Sequence, residues 1–379
     1  MDLDYTNNIL ITCARGISPF LKDEVSSLGF TVDSSHDTGV VIRSAFRDTY
    51  RLNLELRTAF NVLFLLKEFR CVSAKDLYNK GYQLPWEDII SEDEYVSVVS
   101  QVSNPKIKNT MFSNQKLKDA IVDRILKKTG RRPNSGPDRR NVVINLYWKD
   151  SKAWVYINTS GTKLSDRGYR KIPLNAPMQE TLASAVLLAS GYNGTGNLVN
   201  PMCGSGTIAI EAAIMALKKA PGLLHSNYGF MHLKNYDKEY WQGLRKDALA
   251  RSGKKLPALI IATDIRKEAV DAAVKNAKTC GVDHLIDFKV CDFRETDMPS
   301  GGGEIILNPE YGTRMGDEKK LADTYKEIGD FFKQKCGGYS GYIFTGNLSL
   351  AKKVGLRASK RIPFHTGDIE CRLLEYDIY

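Results

Sequence analysis

A glycine-rich segment lies between the apolar residues at 198–199 and an apolar helical pattern over residues 208–217. It reads Asn200-Pro201-Met202-Cys203-Gly204-Ser205-Gly206-Thr207. Glycine lets the backbone turn tightly and approach a ligand, and a helix N-terminus offers unpaired N–H groups to an anion. A Gly-x-Gly pair alone is also typical of an ordinary strand-to-helix turn. Its position between a strand and a helix favours a cofactor-binding loop over residues 200–207.

Two acidic residues follow the next two predicted strands, which cover residues 258–263 and 287–290. Asp264, followed by Ile265, stands at the tip of the second strand, where an acid can accept hydrogen bonds from both hydroxyls of an adenosine ribose. Asp292 can accept from an adenine amino group while Phe293 packs on the ring. The alternatives are a helix N-cap for Asp264, which is compatible with ribose binding, and a simple turn for Asp292.

The fourth predicted strand, residues 304–307, ends in the tetrad Asn308-Pro309-Glu310-Tyr311, which Gly312 follows. An Asn side chain and a proline-fixed carbonyl give two acceptors for one amino group, and Tyr311 can stack on a flat base. An exocyclic base amine is a poor nucleophile because its lone pair is delocalised into the ring. Acceptors that hold its hydrogens favour attack through the lone pair, by positioning and electrostatics. The place of the tetrad, two strands after Asp264, favours this catalytic role over an ordinary Asn-Pro turn.

The positive charge of the chain is concentrated in one segment. Residues 101–171 contain 17 Lys and Arg against five Asp and Glu, whereas the whole chain has a net charge of +10. Such a local surplus is typical of a module that binds a polyanion, and a basic surface without a partner is the alternative. We assign RNA contacts within it to Lys116, Lys118, Arg131, Arg132, Arg139, Arg140, Arg167 and Arg170.

Composition excludes several other classes of protein. With 379 residues, 42% hydrophobic and 26% charged, the chain is a folded protein of two or three domains. The N-terminus is acidic and no apolar run reaches the roughly 18 residues of a spanning helix, so we expect neither secretion nor a membrane. Seven scattered cysteines and five isolated histidines predict reduced thiols in the cytoplasm and no metal site.

The predicted elements give three parts. The first about 66 residues follow a split βαβ pattern, with strands at 9–12, 31–32, 39–42 and 62–66 and helices at 18–28 and 44–56. A second part has a helix from 74, a strand at 95–99, an amphipathic helix at 114–127, an Arg-rich loop at 130–140 and strands at 142–148 and 153–158. After a helix at 179–189, strands and helices alternate to the end. That alternation predicts a parallel sheet covered on both faces.

These motifs resemble the THUMP-domain RNA methyltransferases, whose class I domain binds S-adenosylmethionine. The chain is most similar to the bacterial 23S rRNA guanine-N2 methyltransferases, long labelled "putative N6-adenine-specific DNA methylase". The resemblance covers nearly the whole chain, and its most specific motif is Pro-Met-Cys-Gly-Ser-Gly-Thr at 201–207. Further matches are Cys13-Ala14-Arg15-Gly16 with Glu24, residues 112–132 with 142–160, Arg167-Gly168-Tyr169-Arg170, and residues 177–181.

The resemblance implies an N-terminal ferredoxin-like domain at 1–66, a THUMP RNA-binding domain at 67–165 and a Rossmann-like α/β methyltransferase domain at 166–379. It implies S-adenosylmethionine as cofactor, with Gln179 and Thr181 joining its site, and rRNA of the large subunit as partner of a monomer. The chain departs from the family at Asn200, where Asp is usual, and at Glu310, where a second Pro is usual. Methylation of adenine N6 in RNA or DNA, and RNA binding without catalysis, are the alternatives to guanine N2 methylation.

Overall fold

The computed structural model describes residues 2–104, 110–172, 177–311 and 318–378. The chain divides into two compact units. The first contains residues 1–13, 21–166 and 225–247, and the second contains residues 14–20, 167–224 and 248–379. Gly312 and part of the segment between the strand predicted at 153–158 and the helix predicted at 179–189 lie outside the described residues. The three predicted domain spans stay a prediction.

The first unit is built on one eight-stranded sheet of order β2-β3-β1-β4-β8-β7-β5-β6. Its strands are β1 Thr6–Thr12, β2 Val32–His36, β3 Gly39–Ala45, β4 Asn61–Arg70, β5 Tyr95–Ser103, β6 Asn134–Ser135, β7 Val142–Lys149 and β8 Lys152–Asn158. The helices in this part of the chain are α1 Ser18–Ser27, α2 Asp48–Glu55, α3 Ala74–Tyr82 and α4 Thr110–Thr129. Antiparallel pairing of β4 with β8 joins the ferredoxin-like strands and the THUMP strands into a single sheet.

Two local predictions for this unit were wrong. The helix predicted from residue 44 begins at Asp48, because Ser44 and Ala45 still belong to β3 and pair with β1. The Asp48 carboxylate accepts a hydrogen bond from the Ala45 backbone and so closes that turn. The Arg-rich segment predicted as a loop contains the short strand β6, which pairs in parallel with the start of β5.

The second sheet has seven strands in the order β11-β10-β9-β12-β13-β15-β14. They are β9 Asn197–Pro201, β10 Ile260–Asp264, β11 Asp287–Val290, β12 Gly303–Leu307, β13 Tyr339–Thr345, β14 Lys360–Thr366 and β15 Ile369–Asp377. The helices from residue 180 onward are α5 Glu180–Ala189, α6 Thr207–Ala216, α7 Lys238–Arg251, α8 Lys267–Cys280, α9 Glu318–Lys335 and α10 Leu348–Ala351. Of these, α7 belongs mostly to the first unit. This arrangement confirms the Rossmann-like α/β class.

The first five strands of this sheet are parallel, as predicted, whereas β15 runs antiparallel to both β13 and β14. The predicted parallel sheet does not extend to β15, because only two residues separate β14 from β15 and so short a connection makes a hairpin. The strand order reverses between β9 and β12. Ligands of open α/β sheets bind at such a reversal, outside the carboxyl ends of the strands.

The core of the second unit explains why its central strands are continuous apolar runs. Every residue of β10 is buried, and Ile305 and Leu307 of β12 are fully buried among aromatic residues of α9. Helices on both faces exclude water from these strands, so their polar residues lie at the strand ends. In the described part of the chain, no helix has the length and apolar character needed to cross a membrane.

Candidate functional site

The glycine loop connects the end of β9 to the start of α6 through three left-handed residues. Met202, Gly204 and Gly206 have φ values of +56°, +55° and +79°. A Cβ atom on Gly206 would lie 2.8 Å from Cβ of Ala273, so this glycine allows α8 to pack against the loop. A Cβ atom on Gly204 would meet nothing within 4 Å. The loop therefore presents open space at Gly204, where a ligand can approach the backbone.

Asp264 fixes the shape of this loop from the neighbouring strand. Its Oδ2 accepts a hydrogen bond of 3.0 Å from the Gly204 backbone, and its Oδ1 accepts one of 3.0 Å from the Arg266 backbone. The residue is only 5% exposed, whereas Ile265 beside it is 67% exposed. The structure thus brings the predicted loop and the predicted ribose acceptor into direct contact. The exposed Ile265 provides an apolar surface next to them.

Asp292 and Phe293 follow β11, and the structure assigns the two residues different roles. Asp292 accepts hydrogen bonds from the Arg294 backbone and guanidinium, and the guanidinium contacts hold the pKa of this carboxyl below its usual range. Phe293 is 7% exposed and packs edge-on against Phe331, with ring centroids 5.6 Å apart. Phe293 belongs to the apolar core, and its predicted packing on an adenine ring stays a prediction.

Three side chains predicted to bind a ligand each have a buried polar atom without a partner among the described residues. Asn200, one residue before the end of β9, donates from Nδ2 to the Ile306 carbonyl at 2.8 Å, but its Oδ1 has no such partner. Neither Oδ1 of Asn308 nor Oγ1 of Thr181 has one. Buried polar atoms in proteins are normally paired. A polar ligand would satisfy these three atoms, which belong to residues predicted to bind one.

The tetrad leaves β12 with its four side chains in different environments. Pro309 is buried, Glu310 is exposed, and Asn308 and Tyr311 are half-buried. The Tyr311 ring packs over Gly346, where an added Cβ would lie 3.1 Å from two ring carbons. Burial, with contributions from Cys371, raises the pKa of Tyr311 to about 12. The tyrosine is thus held in place, whereas the Glu310 carboxylate faces solvent.

Two of the predicted RNA contacts are corrected by burial. Arg167 is 2% exposed, and its Nε donates to Glu211 on α6 at 2.8 Å. The Tyr169 hydroxyl and the Ser184 hydroxyl donate to the same carboxylate, at 3.0 and 2.8 Å. This guanidinium cannot reach RNA because it lies inside the methyltransferase unit. A signal that sequence reasoning missed was Glu211 itself, since an acid in an apolar helix requires a buried partner.

Arg170 is the second correction. Its side chain is 14% exposed, its Nη2 donates to the Met178 carbonyl at 2.6 Å and to Thr207 Oγ1 at 3.3 Å, and its Nε donates to Glu180 at 3.2 Å. These contacts place Arg170 at the starts of α5 and α6. Gln179 precedes α5 and is exposed.

The remaining predicted RNA contacts lie on the first unit. Lys116 and Lys118 are half-buried on α4, whereas Arg131, Arg132, Arg139 and Arg140 are exposed. Arg131, Arg132 and Arg140 each form an ion pair with a nearby carboxylate. Arg139 and Lys163 line a cavity of about 570 Å³ on the eight-stranded sheet. The exposed arginines are placed where a polyanion can reach them.

All seven cysteines are buried free thiols. Burial raises the pKa of Cys203 in the glycine loop above its usual range, which disfavours the nucleophilic thiolate. Within the ranges that the structure describes, no group of three or more His, Cys, Asp or Glu side chains is arranged to hold a metal ion. The expected absence of a metal stays a prediction.

Family models match three consecutive parts of the chain. They describe an RlmL ferredoxin-like domain at residues 8–63, a THUMP domain at residues 71–158 and an RMKL-like methyltransferase domain at residues 167–375. These are the three domain types that the sequence analysis expects.

Similar proteins carry related descriptions. The "Ribosomal RNA large subunit methyltransferase K/L" of Psychromonas ingrahamii is 37% identical over 97% of this chain. The match covers only 50% of that relative's length, so this chain spans about half of it. The "Putative RNA methyltransferase slr0064" of Synechocystis is 32% identical, with 99% of this chain and 97% of that protein covered.

Among solved structures, "SMU.472, a putative methyltransferase complexed with SAH" superposes with a TM-score of 0.90. It is 26% identical, and the match covers 100% of this chain and 99% of that one. The methyltransferase match includes the glycine loop, Asp264 and Asn308, which the structure places at the ends of β9, β10 and β12. The chain therefore belongs to the family of RMKL-like methyltransferases, with a ferredoxin-like domain and a THUMP domain preceding the methyltransferase domain.

Proposed function

We propose that the protein transfers a methyl group from S-adenosylmethionine to guanine N2 in large-subunit ribosomal RNA. The observation that carries this proposal is the grouping of Asn200, Gly204, Asp264 and Asn308 at the carboxyl ends of β9, β10 and β12. A polar ligand fits at these strand ends for two reasons. The space beside the Gly204 backbone is open, and the buried Oδ1 atoms of Asn200 and Asn308 have no partner among the described residues. The large-subunit rRNA substrate is taken from the names of relatives twice as long as this chain.

The cofactor fits the part of this site around the glycine loop. Asp264 and Ile265 would hold the adenosine, Asp292 would accept from the adenine amino group, and residues 200–207 would surround the methionine part. When bound, S-adenosylmethionine supplies an electrophilic methyl group on its sulfonium. Asn200 contributes a neutral oxygen to the ligand's ammonium where an Asp would contribute a charge. The protein's own task is to position these groups and to exclude water.

The target base would meet the tetrad. Asn308 Oδ1 and the Pro309 carbonyl would accept hydrogen bonds from the base amine, and Tyr311 would contact the face of the base. A base must leave its stack to reach these groups, which costs a few kcal/mol that RNA contacts elsewhere must offset. The first unit, with Arg131, Arg132, Arg139 and Arg140 exposed, would supply those contacts. In this scheme the protein acts as a monomer in the cytoplasm.

We expect Asp264→Ala to weaken S-adenosylmethionine binding by at least about tenfold. The carboxylate would accept from two ribose hydroxyls, and a hydrogen bond to a charged group contributes roughly 1.5–3 kcal/mol. The same change removes the acceptor that holds the Gly204 backbone. Isothermal titration calorimetry measures the effect, with Asp271→Ala on the exposed face of α8 as a matched control that keeps its affinity. Unchanged affinity of Asp264→Ala would exclude this role.

We expect replacement of Arg131, Arg132, Arg139 and Arg140 by Gln to weaken RNA binding and to flatten its dependence on salt. Each lost phosphate contact reduces the number of counterions released on binding. The slope of log affinity against log salt concentration becomes shallower by about 0.7–0.9 for each contact. Filter binding of rRNA fragments at several salt concentrations measures this slope. A chain with Lys320, Lys326, Lys352 and Lys353 replaced by Gln is the control for net charge. Equal slopes in the two variants would indicate that the arginines form only a solvated surface.

Identifying the methylated base distinguishes a guanine-N2 methyltransferase from an adenine-N6 methyltransferase. We favour guanine because the Glu310 carboxylate can accept from N1–H on the Watson–Crick edge of guanine, whereas adenine N1 is an acceptor and would be repelled. Mass spectrometry of nucleosides from protein-free rRNA treated with the protein identifies the product. If Glu310 accepts from guanine, Glu310→Pro, which restores the usual family residue, lowers guanine methylation because a charged acceptor is lost. If the carboxylate only faces solvent beside the base, the same change leaves activity equal or higher, and we favour the first outcome. Methyl transfer to adenine alone would reject both the guanine assignment and this role of Glu310.

A protein that binds RNA without catalysis is the remaining alternative, because Asn200 and Glu310 both depart from the usual family residues. The two functions differ in their cofactor requirement. Calorimetry of the unsubstituted protein with S-adenosylmethionine separates them, since a chain that only binds RNA gives no heat of cofactor binding. Deletion of the gene followed by nucleoside analysis of the rRNA tests the same point in the cell.

A further inference from the structure

Arg170 has a guanidinium nitrogen that the fold leaves unused. Its Nε faces Glu180, and its Nη2 is shared between the Met178 carbonyl and Thr207 Oγ1. Its Nη1 is buried and has no partner among the described residues. Leaving a buried donor on a charged group unpaired is costly, because both water and a protein acceptor are absent. A ligand with an acceptor at this position would remove that cost.

The surroundings of Nη1 favour an anion. Arg170 contacts the starts of two ten-residue helices, since Met178 lies two residues before α5 and Thr207 is the first residue of α6. Neither N-cap residue, Gln179 or Gly206, caps its helix with a side-chain hydrogen bond. Helix N-termini carry a partial positive charge, which no N-cap side chain of these two helices satisfies. The Glu180 carboxylate is the acid in the first turn of α5 and pairs with Arg170.

Thr181 adds a second, independent indication. It is the second residue of α5 and is fully buried, yet its Oγ1 has no hydrogen-bond partner within the part of the chain that is described. A hydroxyl can donate to a carboxylate. Thr181, Thr207 and Arg170 thus belong to one region in which two buried groups can donate to the same anion.

We propose that Arg170, through Nη1, and Thr181, through Oγ1, bind the carboxylate of the methionine part of S-adenosylmethionine. This inference rests on the proposed cofactor. The cofactor has one anionic group, its carboxylate. The Arg170 guanidinium has only donors to offer, so its unpaired Nη1 can bond the carboxylate but neither the ammonium nor the sulfonium. The two ends of the ligand are then fixed separately, with the ribose at Asp264 on β10 and the carboxylate at the starts of α5 and α6. Arg170 is thereby assigned to cofactor binding rather than to RNA.

The test compares two ligands that differ by this carboxylate alone. S-adenosylhomocysteine carries it, and decarboxylated S-adenosylhomocysteine does not. Calorimetry is carried out with the full chain, with Arg170→Met and with Thr181→Val, which replaces an unpaired hydroxyl by a methyl group of similar size. Arg361→Met, an exposed arginine on β14, is the matched control.

We expect Arg170→Met to weaken binding of S-adenosylhomocysteine by at least about tenfold and binding of the decarboxylated ligand by less than about twofold. Thr181→Val should weaken only the carboxylated ligand, by about threefold or more. Arg361→Met should change neither affinity.

Equal losses for both ligands in Arg170→Met would mean that Arg170 only supports the fold, and the inference would then be overturned. Unchanged affinity for S-adenosylhomocysteine in Thr181→Val would overturn it as well, and this arm holds even where Arg170→Met does not fold. If the unsubstituted chain binds no S-adenosylhomocysteine, the proposed function fails and the inference with it. If the unsubstituted chain binds S-adenosylhomocysteine but the variants lose affinity for both ligands equally, the inference is overturned and the proposed function stands.

Discussion

Replacement of Asn308 by Ala should lower the rate of a single methyl transfer by roughly 10²-fold or more, by comparison with the loss of one preorganised polar group from other active sites. Asn308 follows β12 directly, and its buried Oδ1 has no partner among the described residues, so it is free to accept from a base amine. The measurement is a single-turnover assay with saturating protein and an rRNA fragment. Binding of S-adenosylmethionine should remain within a few-fold of the original.

Asn193→Ala is the appropriate control, because Asn193 lies in an exposed turn of the same unit and accepts hydrogen bonds from Thr195. Its rate should equal that of the unsubstituted protein. A normal single-turnover rate for Asn308→Ala would show that base positioning depends on other groups. If Asn308→Ala lowers both the rate and the affinity for S-adenosylmethionine, the substitution has disturbed the structure at the carboxyl ends of the neighbouring strands β9 and β12.

The largest effect on stability is expected for Glu211→Ala. This change leaves the Arg167 guanidinium buried without a counter-charge and removes the acceptor of Tyr169 and Ser184. Breaking a buried ion pair by removing one partner costs about 3–5 kcal/mol. Urea denaturation followed by fluorescence should show that loss in the free energy of unfolding of the methyltransferase unit.

A double substitution separates the charge from the loss of volume. Arg167→Met combined with Glu211→Met removes both charges and fills the space with apolar atoms, which is often neutral in other proteins. We expect it to recover most of the stability lost in Glu211→Ala. If the double variant is less stable than Glu211→Ala, the uncompensated charge of Arg167 is not the cause.

The fold class and the glycine loop were predictable from the sequence because their signals are local. Gly204 and Gly206 stand between an apolar strand and an apolar helix, and this spacing needs no knowledge of distant residues. Asp264 was also predicted, from its place at a strand end. Its contact with the Gly204 backbone joins residues 60 positions apart and could not be derived from a pattern along the chain.

Arg167 and Arg170 show why the prediction of RNA contacts was partly wrong. A count of charges along a segment does not distinguish an exposed guanidinium from one that pairs inside the fold. Their partners Glu180 and Glu211 lie in apolar helices, outside the segment whose charge was counted. The antiparallel run of β15 was missed for a related reason, because alternation of elements predicts their order but not the direction of a terminal hairpin.

The continuity of the eight-stranded sheet has a consequence for how the amino-terminal half folds. Because β4 pairs with β1 on one side and with β8 on the other, the ferredoxin-like strands and the THUMP strands share one ladder of hydrogen bonds. Residues 66 and 67 lie within β4, so a fragment that ends there would leave an edge strand unpaired and prone to associate with other chains. We therefore expect the two domain types, although separable as sequence families, to unfold as a single cooperative unit in this protein.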